Sequence, residues 1–469
     1  MPARFLMIAM DGADGVLIDR WSADGTLPNL AALRARGTAR RLSAPRGITD
    51  DAVWASFQYS AGLGEHGRYH WLQRIDSGQM GMTYHNENDR ECFWDALSNQ
   101  GIRVGIFDVP KCRAPRPLNG IHLVDWLVHG RYFTKPKSYP ESLAVEVVEK
   151  FGPAPPSRCD DEKARLSNQE VEEVITNLQT SVARKLAASL HYLESDTWDL
   201  FVIGFKEAHC ASHLLWDLAD SQHIDHDSSR AALLRDPVRT ILKDIDAAVG
   251  KLIAAVGRDA AISVFSNTDM EPNATLDHLM PEIVNRLNRS VSGSLISRVF
   301  HHLATHFRSN KAVQPACELL PYNENCTALR VTPLWGQAPG HKRRKARMAE
   351  KIESLLRELT DADTGHPVIF GIDQPSSNLT GSRAAALPDL LIHCAAGIIP
   401  SAVVSPRLGR IEAERPHLRP GNHVSGGFLI SAGHAIDNVN TLQDFGPMAA
   451  RVLNSSILKS SQEVAHQGG

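Results

Sequence analysis

The chain has 469 residues, 43% hydrophobic and 22% charged, with 50 Lys and Arg against 53 Asp and Glu and a formal net charge of -3. So near a balance, it offers no electrostatic footprint for nucleic acid or an anionic membrane, and neither is expected as a partner. The length suits a large core, with roughly two or three domains on size alone, or one elaborated domain.

Short apolar runs alternate with amphipathic stretches, which predicts a sheet covered by helices on both faces. The first strand is Phe5 to Met10; its apolar run is short and Asp11 interrupts it, so it is not read as a signal peptide. Helices follow at Leu27 to Arg36 and Cys92 to Gln100, then a strand at Arg103 to Asp108. Residues 110 to 165 carry prolines and aromatics and read as lid loops over a site, with Trp126, His129, Arg131 and Tyr132 able to line its entrance, as could Trp335 further on. A long helix from about Gln169 to Leu193 leads into the strand Leu200 to Phe205, and a helix at Val238 to Val256 into the strand Ala261 to Phe265.

The catalytic core is expected to run from 1 to 290, with an insertion or cap over 291 to 415. Within the cap, the basic run His341-Lys-Arg-Arg-Lys-Ala-Arg leads into the helical spacing of Met348 to Leu359, which makes it a solvated helix start rather than a binding patch. The chain returns to the core over 416 to 450, through the strand Phe428 to Ser431, and ends in a tail over 451 to 469. No stretch reaches the roughly 20 apolar residues of a membrane-crossing helix, and a cytoplasmic protein is expected.

Seven cysteines, at 92, 112, 159, 210, 317, 326 and 394, are scattered and form no CxxC pair, which argues against a disulfide framework or a structural zinc knot. Cys210 draws notice because it sits between two candidate ligands, although a buried structural thiol is its ordinary role. Chemistry is concentrated at the ends of apolar runs. Asp11-Gly12 closes the first strand, where a carboxylate can enter a pocket and glycine permits close approach, or where the pair simply makes a turn. In Glu207-Ala-His209-Cys-Ala-Ser-His213 the two histidines stand at i and i+4, on one face of any helix that begins there, and can share an ion. Gly421-Asn-His423 precedes another apolar run. Thr49-Asp50-Asp51 before Trp54 supplies a hydroxyl beside acids at a helix start: a nucleophile, or a cap in which Thr49 or Asp50 holds the helix.

These residues carry a resemblance to the type I phosphodiesterase and nucleotide pyrophosphatase branch of the alkaline phosphatase superfamily. The matching pieces run in family order from Ile8-Ala-Met-Asp11-Gly through Gly25-Thr-Leu-Pro-Asn-Leu, Trp54-Ala-Ser56-Phe, Gly64-Glu-His66-Gly67 and Phe93-Trp-Asp-Ala-Leu. They continue with Val104-Gly-Ile-Phe-Asp108-Val-Pro, Trp198-Asp199-Leu-Phe, the Glu207 to Trp216 segment, Ile245-Asp246-Ala-Ala-Val-Gly250, Leu387-Pro-Asp389-Leu-Leu and Gly421-Asn-His423. The resemblance implies a three-layer α/β/α sandwich, alkaline-phosphatase-like, with a lid and an insertion. It implies two divalent ions, often zinc, and a threonine or serine that attacks phosphorus.

Carried across, the first ion's ligands fall on His209, His213 and His423, and the second site keeps Asp11. The family's Ser-Asp-His-Gly-Met, however, appears as Ser266-Asn267-Thr268-Asp269-Met270, which replaces two good donors. One ion is therefore expected rather than two: a divalent transition metal, zinc first, with manganese or iron as alternatives. Glu207, Asn267, Thr268 and Asp269 are expected in the second site or around the ligands. Thr49 is favoured as nucleophile, although the family spacing from Trp54 counts back to Asp50. The expected function is metal-dependent cleavage or transfer of a phosphoryl-type group, with a sulfuryl group also admitted. The substrate is a small-molecule phosphate or sulfate ester, and the chain is compatible with a homo-oligomer. The competing reading is a degenerate relative that binds or assembles without hydrolysing.

Overall fold

A computed structural model of the protein describes residues 3–45, 47, 50–75, 79–83, 90–129, 133–159, 166–291, 315–322, 325–333, 340–395, 397–416 and 418–454, the Asp50 side chain excepted. Two compact units emerge, Met1–Pro272 with Leu418–Gly469, and Asn273–His417.

The first unit is built on an eight-stranded sheet in the order Thr38–Arg41, Phe428–Ala432, Ala261–Phe265, Ala3–Met10, Trp198–Phe205, Val104–Phe107, Gly120–Val124 and Lys137–Tyr139. Five neighbouring strands, from Ala261–Phe265 to Gly120–Val124, run parallel, and the rest are antiparallel additions at the two sides. Parallel strands must bury both faces, which is why Ala3–Met10 and Trp198–Phe205 are near-continuous apolar runs with almost no exposed residue. The helix Asn168–Glu194 starts at Ser167, whose hydroxyl accepts from the Glu170 N–H while Glu170 reaches back to the Ser167 N–H. It buries Val171, Val174, Leu178 and Val182, one apolar stripe at helical spacing. Together with Pro237–Val256, which buries Ile241, Ile245, Val249 and Leu252, it joins the core beneath the sheet. Each such side chain contributes about 1.5–3 kcal/mol on burial, so truncating one to alanine costs about 2–5 kcal/mol.

The proline-rich stretch expected as lid loops is more ordered than its composition suggests. Gly120–Val124 and Lys137–Tyr139 are strands of the main sheet, and Ser142–Phe151 is a helix that buries Leu143 and Val147. Prolines punctuate these elements rather than replace them. Trp126 is buried and donates to the Gly152 carbonyl at 3.1 Å, a packing anchor rather than an entrance residue. Arg131, Tyr132 and Trp335 lie outside the described residues.

The second unit carries an antiparallel sheet in the order Cys317–Leu320, Cys326–Val331, Leu390–Cys394 and Ile369–Asp373, and a smaller one of Thr360–Asp361, Ala402–Ser405 and Gly409–Glu412. Its limits differ from the 291 and 415 read from the sequence. The helix Met280–Val291 places Ile283, Leu287 and Val291 in this unit's own apolar cluster, with Ile352, Leu355 and Ile392, so the unit begins at Asn273. The basic run is the opening of the helix His341–Leu356, and Lys345 pairs with Asp389 at 2.7 Å. No helix among the described residues is long and apolar enough to cross a membrane.

Candidate metal centre

Strand register brings the candidate residues to one edge. Met10 pairs with Phe205 and Ala9 with Phe265, so Asp11, Glu207 and Asn267 all follow at the carboxyl ends of parallel strands. The strand Phe428–Ala432 runs the other way, and therefore enters at the same edge just after His423. A short antiparallel pair, Asp269–Pro272 with Gly421–Val424, sets Met270 opposite His423 and fixes that approach.

The helix Glu207–Ala219 is buried on nearly every side, and it comes close to the end of the first strand because Gly12 lets it. Gly12 has φ +63, and a Cβ there would stand 2.8 Å from the His209 Cα. Any side chain at position 12 would push this helix away. Ser212 Oγ also donates to the Gly12 carbonyl at 3.3 Å. The first strand and the two histidines thus form one rigid corner.

Three imidazoles converge there. The ligand atoms of His209, His213 and His423 all lie within 4.8 Å of one another, and all three residues are buried. His213 Nδ1 is 2.8 Å from the Gly421 carbonyl and His423 Nδ1 is 2.9 Å from Thr268 Oγ1, while the two Nε2 atoms are 3.0 Å apart. Outer partners on Nδ1 fix each ring and aim Nε2 inward, the arrangement that metal-binding histidines use. Two nitrogens bound to one zinc at tetrahedral geometry stand about 3.3 Å apart, so the observed spacing fits a shared ion with little adjustment.

Asp11 sits beside this trio. Its Oδ1 accepts from Trp54 Nε1 at 3.0 Å, and its Oδ2 is 3.4 Å from His209 Nδ1. Burial pulls the His209 imidazole down, but the Asp11 carboxylate and Cys159 outweigh it and lift the ring to about 9. Burial drives His213 well below the ordinary histidine range, with Arg419, His209 and His423 adding to the effect. Two neighbouring imidazoles with pKa values pushed apart mark a site of concentrated electrostatics.

The residues that replace the family's second donor set have taken up other contacts. Asn267 Oδ1 accepts from the Gly12 N–H at 3.0 Å. Thr268 supports His423. Asp269 accepts from the Gly15 N–H at 2.8 Å and pairs with the Arg41 guanidinium, so its carboxylate serves the backbone at the start of the helix Gly15–Ala23. Glu207 is occupied as well, with Ser181 Oγ at 2.6 Å and Lys185 Nζ at 3.6 Å. That lysine also bridges Asp108 at 2.7 Å, and Lys206 meets the same carboxylate at 3.0 Å, a buried ion network below the site.

Thr49 lies outside the described residues. Asp50 opens the helix Asp50–Tyr59, its side chain undescribed, and Trp54 one turn on ties that helix to Asp11. Ser56 Oγ is 3.0 Å from His66 Nε2, an imidazole that burial and the nearby Arg68 and Arg90 depress to about 3.

Two residues join the site whose part as ligands the sequence did not offer: His129, read there only as able to line the entrance, and Cys159. His129 and Cys159 form a second buried group with His209, their ligand atoms again all within 4.8 Å of one another. Burial alone would raise the Cys159 thiol, but hydrogen bonding with Cys210 and the charges of His129 and His209 bring it well below the usual range. Cys210, the cysteine that drew notice in the sequence, is thus a neighbour of this cluster rather than its donor. The three positions are far apart in sequence and form no local pattern, so only the folded loops disclose them.

The chain matches the family described as type I phosphodiesterase / nucleotide pyrophosphatase over residues 5–381. No curated protein matches it. Among solved structures, phosphonoacetate hydrolase from Sinorhizobium meliloti 1021 in complex with phosphonoformate is similar, at 12% identity over 96% of both chains with a TM-score of 0.54. Murine ectonucleotide pyrophosphatase / phosphodiesterase 5 is 10% identical over 97% of this chain and 96% of its own, with a TM-score of 0.49. The likeness to the hydrolase is one of fold: a mostly parallel sheet between helices. The chain belongs to the type I phosphodiesterase / nucleotide pyrophosphatase family, whose metal-dependent enzymes cleave phosphoryl-type bonds.

Proposed function

We propose that His209, His213 and His423 hold one divalent transition metal, zinc first, and that this centre serves cleavage or transfer of a phosphoryl-type group on a small-molecule ester. The observation that carries the reading is the convergence of three buried imidazoles on one point, two with their Nδ1 atoms fixed from behind. A set of three imidazoles suits zinc, with iron as an alternative, and leaves a position open. A bound ion supplies Lewis acidity there, lowering the pKa of a hydroxyl brought to it and drawing charge from a phosphoryl oxygen.

The chain's own groups supply the rest. Asp11 places a carboxylate beside His209, and Trp54 holds that carboxylate in position. The helix Asp50–Tyr59 begins directly after Thr49, so its first N–H groups can receive the negative oxygens of an ester while Thr49 attacks. Thr49 is preferred to Asp50 because a carboxylate nucleophile would form a mixed anhydride of high energy. Without the family's second donor set, one ion on the three histidines carries the charge at this centre. Sulfate esters share the tetrahedral, anionic shape and belong on the substrate panel. Family membership over most of the chain does not favour the degenerate, non-hydrolysing reading. A cytoplasmic setting suits seven buried thiols.

The test is a pair of variants assayed on aryl phosphomonoesters, phosphodiesters, sulfate esters and nucleotides, with metal content measured in parallel. Thr49→Ala should lose orders of magnitude in turnover and keep its metal. His213→Ala should lose both its turnover and the ion of the three-histidine centre. Full activity in His213→Ala would overturn the metalloenzyme reading, and a small loss in Thr49→Ala would replace the hydroxyl nucleophile with water.

A further inference from the structure

We infer that His129, Cys159 and His209 form a second transition-metal position with a thiolate ligand, different in place and composition from the one that Asn267 and Thr268 have lost. The ligand atoms of the three lie within 4.8 Å of one another and all three residues are buried. Each comes from a separately anchored segment. His129 follows the strand Gly120–Val124 in a left-handed backbone conformation, φ +57, which a histidine adopts only where its surroundings hold it. Just before it, Trp126 N–H is held by Asp108 Oδ1 at 3.0 Å. The Cys159 carbonyl accepts from Arg419 at 3.2 Å, and its N–H donates to Ser157 Oγ at 3.4 Å. His209 stands on the buried Glu207–Ala219 helix, its ring centroid 4.1 Å from that of His129.

The chemistry of the donors narrows the ion. One thiolate and two imidazoles form a soft, nitrogen-rich set that suits zinc, cobalt or cadmium over magnesium or calcium, and three protein donors leave a fourth position open. His209 belongs to both groups and holds an ion in each only as an imidazolate, one ion on each ring nitrogen with its N–H proton released to solvent, so filling one position alters the charge felt at the other. From the proposed function, this inference takes only that His209 can ligate a metal.

Cobalt(II) titration of the full-length protein tests it, because a thiolate–cobalt bond gives an intense near-ultraviolet charge-transfer band while imidazole-bound cobalt gives only weak visible bands. Saturated wild-type protein should show both. Cys159→Ser should lose the near-ultraviolet band at least tenfold, bind about one equivalent less cobalt and keep the visible bands. His423→Ala should keep the near-ultraviolet band, as should Cys210→Ser, which excludes the neighbouring thiol as its source. Visible bands without the near-ultraviolet band in wild type would overturn the thiolate position and leave the three-histidine site standing. Its survival in Cys159→Ser, or its loss in Cys210→Ser alone, would overturn it too. Failure to bind cobalt at all would overturn both sites together.

Discussion

Thr268→Val isolates the residue that has changed most in meaning between sequence and structure. Valine keeps the shape of threonine and removes only the hydroxyl that lies 2.9 Å from His423 Nδ1, at a position 1% exposed, where water cannot take its place. A neutral buried hydrogen bond contributes about 0.5–1.5 kcal/mol, and one to a charged group about 1.5–3 kcal/mol. An ion on Nε2 polarises the ring and moves the Nδ1 bond from the first class toward the second. The difference, about 1–1.5 kcal/mol, falls on metal binding and corresponds to about a tenfold loss of affinity. Outer partners of ligating histidines generally fall in the range of about 10–100-fold.

Zinc affinity measured by competition with a chromophoric chelator should therefore weaken by about one to two decades in Thr268→Val. The urea midpoint should drop by the equivalent of about 1 kcal/mol. Thr268→Ser, which restores a hydroxyl, should recover most of the affinity. Unchanged affinity in a folded Thr268→Val variant would refute the argument that Thr268 orients His423, and with it the account of why the family's histidine could be replaced here.

Gly12→Ala should damage the same centre from the other side. The added Cβ meets the His209 Cα at 2.8 Å and the backbone is held at φ +63, so strain of about 1–2 kcal/mol plus displacement of the histidine helix should lower both Tm and metal content; a loss of Tm with full metal content would separate the glycine from the site. His122 predicts a pH effect away from the centre. Burial depresses its imidazole to about 3, with Arg113 nearby adding to the effect, against about 6.5 in the unfolded chain, so only the unfolded state takes up its proton between those values. Stability from this group is complete above pH 6.5 and falls as pH drops toward 3. His122→Leu should flatten the dependence of the urea midpoint on pH over that window, and should be neutral or stabilising at pH 7, because neither ring nitrogen has a hydrogen-bond partner among the described residues. An undiminished slope in His122→Leu would assign the titration elsewhere.

The central sheet was legible because parallel strands buried on both faces read as unbroken apolar runs: Ala261 to Phe265 was read to the residue, and Ala3–Met10 and Trp198–Phe205 each extend two residues before the predicted start. Gly120–Val124 and Lys137–Tyr139 escaped because they are short and the prolines around them dominate the local composition. The spacing of His209 and His213 was legible for a similar reason, being set by one turn of helix. Cys159 was not, and His129 was read only as able to line the entrance, since nothing in a local window links a loop cysteine or a turn histidine to His209 on a distant helix. The role of Asp269 was equally closed to sequence: Arg41 is brought to it by the antiparallel strand at the sheet's edge, and Gly15 by the helix start that follows the first strand.

Asn267, Thr268 and Asp269 looked from the sequence like the remains of a lost metal site, and loss of function would account for such remains. Decay, however, leaves buried polar groups without compensating contacts, and those are costly. Here Asn267 Oδ1 accepts from the N–H of the glycine that lets His209 approach, although its Nδ2 has no hydrogen-bond partner among the described residues, Thr268 holds the ring of His423, and Asp269 fixes the start of the helix after Asp11. Two of the three substitutions therefore bear directly on residues around the three-histidine group, and the third on the segment that carries Asp11. The altered motif has become scaffolding for the remaining site. A chain relieved of selection on its chemistry has no reason to rebuild its former ligands in that way, and the contacts favour an enzyme that redistributed its metal chemistry over one that abandoned it.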